Sequence, residues 1–128
     1  MTFQVGLEDG LFYRQTLFDK ARRVVVKVGS AVLTDKNGLK TGVIANIARE
    51  LSFLQETGRE VILVTSGAVA AGRRRLGDGI KLSGELKVKQ ALAAMGQGLL
   101  MHSYEQAFSL HRQKVAQVLL CLLYTSPS

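Results

Sequence analysis

Arg22-Arg23-Val24-Val25-Val26-Lys27-Val28-Gly29-Ser30 decides the reading of this chain. A short β-branched run that stops at a glycine is the pattern of a strand buried on both faces. A second such run, Glu60-Val61-Ile62-Leu63-Val64-Thr65, ends at Ser66-Gly67. Between the two, Val43, Ile44, Ile47, Ala48, Leu51 and Leu54 recur at three- and four-residue spacing, one apolar helix face. Thr41 is expected to cap that helix at its start, and Gly58 to end it. Strand, helix, strand over about 40 residues is a βαβ unit, which needs a parallel pair and a right-handed crossover. The sequence therefore predicts an α/β fold.

The flanking segments extend the pattern. Asp35-Lys36-Asn37-Gly38 is expected to form a tight turn, with Asn-Gly supplying positive φ. Ala68-Val69-Ala70-Ala71 opens a small-residue helix, and Gly77-Asp78-Gly79 breaks it. Ser83 is placed to cap a further helix through Leu86, Val88, Ala91, Leu92 and Met95. Gly96 and Gly98 within it predict either a break or a close approach by a neighbouring element, because glycine inside a helix costs about 1 kcal/mol relative to alanine. Residues 99–110 read as helical, and residues 115–120 as a third strand. The eight residues from Cys121 to Ser128 follow that strand with no helix to cover it, so a truncated or aberrant tail is expected.

Composition narrows the function classes. Hydrophobic residues make up 47% of the 128, enough for a core, and the formal net charge is +7. That charge suits a nucleotide, a dicarboxylate or nucleic acid. The apolar runs fall well short of the roughly 20 residues that span a bilayer, so no membrane partner is expected. Residues 1–20 carry Glu8, Asp9, Arg14 and Asp19 among apolar residues, unlike a secretory signal. A single cysteine, Cys121, excludes an internal disulfide framework and favours a reducing, cytoplasmic setting.

Two motifs carry chemistry. Ligands of open α/β sheets bind outside the carboxyl ends of the strands. At the first such end, Lys27 offers an ammonium to a phosphoryl group. Gly29 there, without a Cβ, lets backbone N–H groups approach a phosphate. At the second, Ser66-Gly67 opens a helix whose N-terminal N–H groups and dipole favour an anion, and Ser66 adds a hydroxyl. Read structurally instead, Lys27 snorkels, Gly29 turns the chain and Ser66 caps the helix. The pair is more telling than either member: two glycine turns at one sheet rim can hold two anions close together.

Other chemistries lack their residues. No Gly-x-x-x-x-Gly-Lys-Ser/Thr is present, and no Gly-x-Gly-x-x-Gly follows the first strand. There is no Cys/His metal cluster, and Ser66 lacks a Gly-x-Ser-x-Gly elbow. His102 and His111 read as helix-surface residues. Arg73-Arg74-Arg75 could meet a phosphate or nucleic acid, but a solvated helix end accounts for it better.

Arg23-Val24-Val25-Val26-Lys27-Val28-Gly29-Ser30-Ala31-Val32-Leu33-Thr34 resembles the opening strand of the amino acid kinase family. Val64-Thr65-Ser66-Gly67-Ala68-Val69-Ala70-Ala71-Gly72 and Lys89-Gln90-Ala91-Leu92-Ala93-Ala94-Met95-Gly96-Gln97 resemble its glutamate 5-kinase branch, including the kinase half of pyrroline-5-carboxylate synthase. Carbamate, aspartate and uridylate kinases fit those two segments less well. The resemblance implies a three-layer αβα sandwich with a mostly parallel sheet, incomplete in this chain. Residues 1–21 would be an N-terminal extension, 22–120 the first part of the kinase domain and 121–128 the aberrant tail. It implies ATP and Mg²⁺ as cofactors and L-glutamate as substrate, with Lys27 catalytic. Lys27, Gly29 and Ser30 would bind ATP, and Ser66 and Gly67 the substrate. It also implies a homo-oligomeric parent enzyme; the competing reading is a non-catalytic module that binds a nucleotide or nucleic acid, the less expected partner. The aspartates, asparagine and second lysine that complete the family's site have no counterpart here, so this chain alone is expected to be inactive.

Overall fold

The computed structural model describes residues 7–76 and 86–118. Ser83, Gly77-Asp78-Gly79 and residues 121–128 lie outside them. Strand β1 (Arg23–Val28) and strand β4 (Glu60–Thr65) pair in parallel, from Arg23 opposite Glu60 to Val28 opposite Thr65. Helix α3 (Thr41–Glu56) makes the crossover, which confirms the βαβ unit. Thr41 is the first helical residue and Lys40 stands at the cap position without a side-chain bond. Gly58, just past the helix, has φ +87°, the left-handed conformation that stops a helix.

Between β1 and α3 the chain makes a short helix α2 (Ser30–Leu33) and a small hairpin, β2 (Thr34–Asp35) with β3 (Gly38–Leu39). The Asp35 carboxylate accepts the Asn37 N–H at 2.7 Å, and the positive φ falls on Gly38, at +115°.

The core lies on one side of the parallel pair. Leu33, Ile44, Ala48, Leu51, Leu100, Tyr104 and Phe108 bury against Val28. Each fully covered large aliphatic chain among them stabilises by about 1.5–3 kcal/mol. The final helix of the described residues, α5 (Leu86–Ser109), turns Leu92, Gly96, Leu100, Tyr104 and Phe108 inward, a stripe at four-residue spacing.

The expectation that both strand faces are buried is corrected. Val24, Val26, Val61 and Leu63 turn toward the helices, while Val25 stays 60% exposed and Ile62 44%. Helices cover one face only among the described residues, giving two layers. A continuous apolar run states that both faces tolerate burial; a second covering layer must come from elsewhere in a fold.

The third strand is corrected as well. After α5 the chain reverses at Arg112, φ +58°, and residues 113–118 form no strand; Leu119 and Leu120 lie outside the described residues. Residues 61–65 of β4 and residues 115–118 line one groove of ≈ 780 Å³, and β4 has no ladder partner but β1 among the described residues. Apolar composition cannot make a strand without a ladder partner at hydrogen-bonding distance.

Gly96 does not break α5. It lets α5 cross helix α4 (Ala68–Leu76) almost backbone to backbone. A methyl at Gly96 would overlap the Ala68 carbonyl oxygen and sit 2.7 Å from the Gly72 nitrogen. A methyl at Gly72 would in turn overlap the Leu92 carbonyl oxygen. Gly98, on the exposed side, meets nothing within 4 Å.

Helix α1 (Leu7–Lys20) precedes the sheet and leaves Phe12 and Tyr13 exposed. Its last turn is tied down by Arg59, whose guanidinium lies 4.5 Å from the Phe18 ring centroid and bonds the Phe18 carbonyl at 3.3 Å. No helix among the described residues is long and apolar enough to cross a membrane.

Candidate functional site

Parallel pairing forces the carboxyl ends of β1 and β4 to one rim, so the turns that follow them are neighbours. The Ser66 N–H donates to the Val28 carbonyl at 3.1 Å, one step beyond the last ladder pair. The Ser66 hydroxyl reaches the same carbonyl at a long 3.5 Å, so it is held weakly. It caps no helix N–H: the Gly67 carbonyl instead accepts the Ala71 N–H at 2.9 Å and starts α4.

Gly67 has φ +112°, a conformation that L side chains rarely adopt. Its missing Cβ would stand 3.5 Å from both Cα and Cβ of Ser30. The two turns singled out in the sequence are therefore neighbours, linked by the Ser66 N–H on the Val28 carbonyl. On the Ser30 side, Thr34 Oγ1 donates to the Ser30 carbonyl at 2.8 Å and fixes the end of α2.

Gly29 behaves differently from Gly67. Its φ is −83° and its ψ 162°, open to any residue, and a Cβ there would meet nothing within 4 Å. Folding does not demand glycine at this position. What glycine provides is open space beside the backbone at the rim, which a phosphate can use.

Lys27 sits one pair back from the rim, opposite Val64, and shares the open sheet face with Val25. Its side chain is exposed and makes no hydrogen bond or ion pair among the described residues. The structure thus brings the Gly29-Ser30 and Ser66-Gly67 turns to one rim and leaves Lys27, one pair back from it, exposed and unengaged among the described residues.

Sequence reasoning missed two residues. Thr65 ends β4, and its hydroxyl lies 3.1 Å from the Tyr104 hydroxyl, which rises from the helix layer. Tyr104 is only 2% exposed. Burial pushes its pKa above the ordinary 10.0, and the Thr65 hydrogen bond draws it partly back. Its place in the inward stripe of α5 was readable as core, but nothing local ties it to a strand residue 39 positions away.

Arg73, Arg74 and Arg75 are exposed in the last turn of α4, far along the helix from the Gly67 turn. Cations there complement the helix dipole. Among the described residues no cluster of His, Cys, Asp or Glu could hold a metal ion.

Residues 22–125 match the amino acid kinase family. The chain belongs to the amino acid kinase family. Among its relatives, the glutamate 5-kinase of Desulfotalea psychrophila is 57% identical over 109 residues, covering 84% of this chain and 28% of that enzyme. The glutamate 5-kinase of Thermus thermophilus is 56% identical over 100 residues, 78% of this chain and 27% of that enzyme. That of Geobacter sulfurreducens is 50% identical over 109 residues, 84% and 29%. The chain spans less than a third of the length of these curated relatives. The family match takes in both rim turns, Lys27 and Tyr104.

Proposed function

We propose that the protein transfers the γ-phosphoryl group of ATP to the γ-carboxylate of L-glutamate, giving γ-glutamyl phosphate, the opening reaction of proline synthesis. One observation carries this reading: the turn after β1 and the turn after β4 lie side by side at one rim, joined by the Ser66 N–H on the Val28 carbonyl. The relatives' name, glutamate 5-kinase, supports glutamate as one of the two anions that such a rim would join, and the phosphate donor of a kinase is the other.

Phosphoryl transfer asks for positioning and charge stabilisation more than covalent help. In this reading the Lys27 ammonium faces the ATP phosphates and stabilises the charge on the transferring group. Backbone N–H groups beside Gly29 and Ser30 approach the phosphates through the space a side chain would fill. The Ser66 hydroxyl and the N-terminal N–H groups of α4, next to Gly67, hold the glutamate. Mg²⁺ neutralises phosphate charge in such reactions, and with no acidic cluster among the described residues it would arrive on the nucleotide. The exposed Val25 and Ile62 leave an apolar sheet face for a second helical layer, the third layer of an αβα sandwich. A cytoplasmic location and a homo-oligomeric enzyme belong to the same reading and rest on the family likeness alone.

The test is a chimera. Residues 22–118 replace the matching segment of the Thermus thermophilus enzyme, and ATP-dependent acyl phosphate is trapped with hydroxylamine. Glutamate-dependent product that falls at least 100-fold in Lys27→Met supports the reading, a loss of about 2.7 kcal/mol of transition-state stabilisation. A folded chimera that phosphorylates aspartate or uridylate but not glutamate rejects it.

A further inference from the structure

We propose that Tyr104 is a positioning residue, whose hydroxyl clamps the carboxyl end of β4 and sets how the Ser66-Gly67 turn receives its anion. The proposal rests on the reading of that turn as the substrate site. Tyr104 touches none of the reacting groups in it.

The geometry places the phenol at a decisive point. Tyr104 is on the inward stripe of α5, 2% exposed, with its ring tilted by 30° against Phe108 at 6.2 Å between centroids. A buried phenol needs a hydrogen-bond partner, and the ring orientation aims it at Thr65 Oγ1, 3.1 Å away. Thr65 is the last strand residue, directly before Ser66. The turn is thereby held from two directions: from β1 by the Ser66 N–H on the Val28 carbonyl, and from the helix layer by Tyr104.

This matters because the Ser66 hydroxyl has only a 3.5 Å contact of its own. A group that must meet a carboxylate has to be oriented by its backbone if its side chain is not. Thr65 Oγ1 lies also 3.5 Å from the Ser66 carbonyl, so a shift of Thr65 is felt one residue on. Removing the Tyr104 hydroxyl leaves the ring in the core and frees Thr65 alone. Phe108 offers the matching control, since it is 8% exposed in the same stripe and packs on the Tyr104 ring but carries no hydroxyl to bond Thr65.

The experiment uses the full ¹⁵N-labelled chain as wild type, Tyr104→Phe and Phe108→Leu. L-glutamate and, separately, inorganic phosphate are titrated while the amides of Ser66, Gly67 and Ala68 are followed, and hydrogen exchange is measured at the same amides. Tyr104→Phe is expected to weaken anion binding about fivefold, the equivalent of one net hydrogen bond. It should speed exchange at those three amides relative to Ile44 and Ala48. Phe108→Leu is expected to speed exchange throughout while leaving anion affinity within about twofold. Unchanged affinity and unchanged exchange in Tyr104→Phe overturn the proposal, as does an equal loss of affinity in Phe108→Leu. Where the wild-type amides respond to neither anion, the exchange ratio decides whether Tyr104 clamps the turn, and the chimera decides the substrate reading.

Discussion

Gly96→Ala is the substitution in which two physical effects oppose each other most clearly. Alanine is favoured over glycine inside a helix by about 1 kcal/mol. Against that, the new methyl points into the backbone of α4, overlapping the Ala68 carbonyl oxygen and lying 2.6 Å from its carbon. Carbon atoms pack at about 3.5–4.0 Å, so the carbon contact alone requires the helices to separate by about 1 Å, and the overlapped oxygen requires more. No rotamer change relieves a clash between backbone atoms, which places the cost at the upper end of overpacking, about 3 kcal/mol. The net expectation is a loss of about 2 kcal/mol, or roughly 8 °C in Tm for a domain of this size. Gly98→Ala, on the same helix with open space around it, keeps only the propensity gain and should stabilise by about 0.5–1 kcal/mol. Urea unfolding of both variants, with midpoints compared at constant m, measures the difference. If Gly96→Ala stabilises as much as Gly98→Ala, the close crossing of α4 and α5 does not exist and the placement of the Gly67 turn loses its support.

Gly67→Ala should cost about 1–3 kcal/mol by chemical denaturation, because φ +112° is retained only under strain. It should also disturb the Ser30 resonances, which a remote defect would leave in place. Ser52→Ala is expected to be neutral or to stabilise by about 1 kcal/mol, since the Ser52 hydroxyl is buried with no hydrogen-bond partner; a clear loss of stability would mean that a partner exists. Stability should fall with rising pH from about pH 10: the native state holds the Tyr104 proton more tightly than the unfolded chain, so the unfolded chain ionises first. The fall levels off once the native phenol ionises too, and Tyr104→Phe should lack this component in alkaline melts.

Much of this fold was legible because local pattern and tertiary role coincide. The runs at Val24 and Val61 became paired strands, Gly58 ended its helix, and the two glycine turns met at one rim. What failed, failed where the answer lies in a distant partner. Val25 and Ile62 are as apolar as their neighbours, yet they face outward because no described element covers them. Residues 115–118 have the composition of a strand but line a groove beside β4 without pairing with it. At Gly96 the sequence left two outcomes open, and the position of Ala68 settles them in favour of close approach. The Thr65–Tyr104 bond was invisible for the same reason, since neither residue signals a partner 39 positions off.

The central claim is that the Lys27 and Ser66 turns serve one reacting centre. A double-mutant cycle in the chimera, with Lys27→Met, Ser66→Ala and the pair, measures it through kcat/KM for glutamate. Groups acting on one transition state should couple by about 0.5–3 kcal/mol, so the double variant loses less than the two single losses multiplied together. Strict additivity, or a single variant with unchanged kcat/KM, would contradict the account.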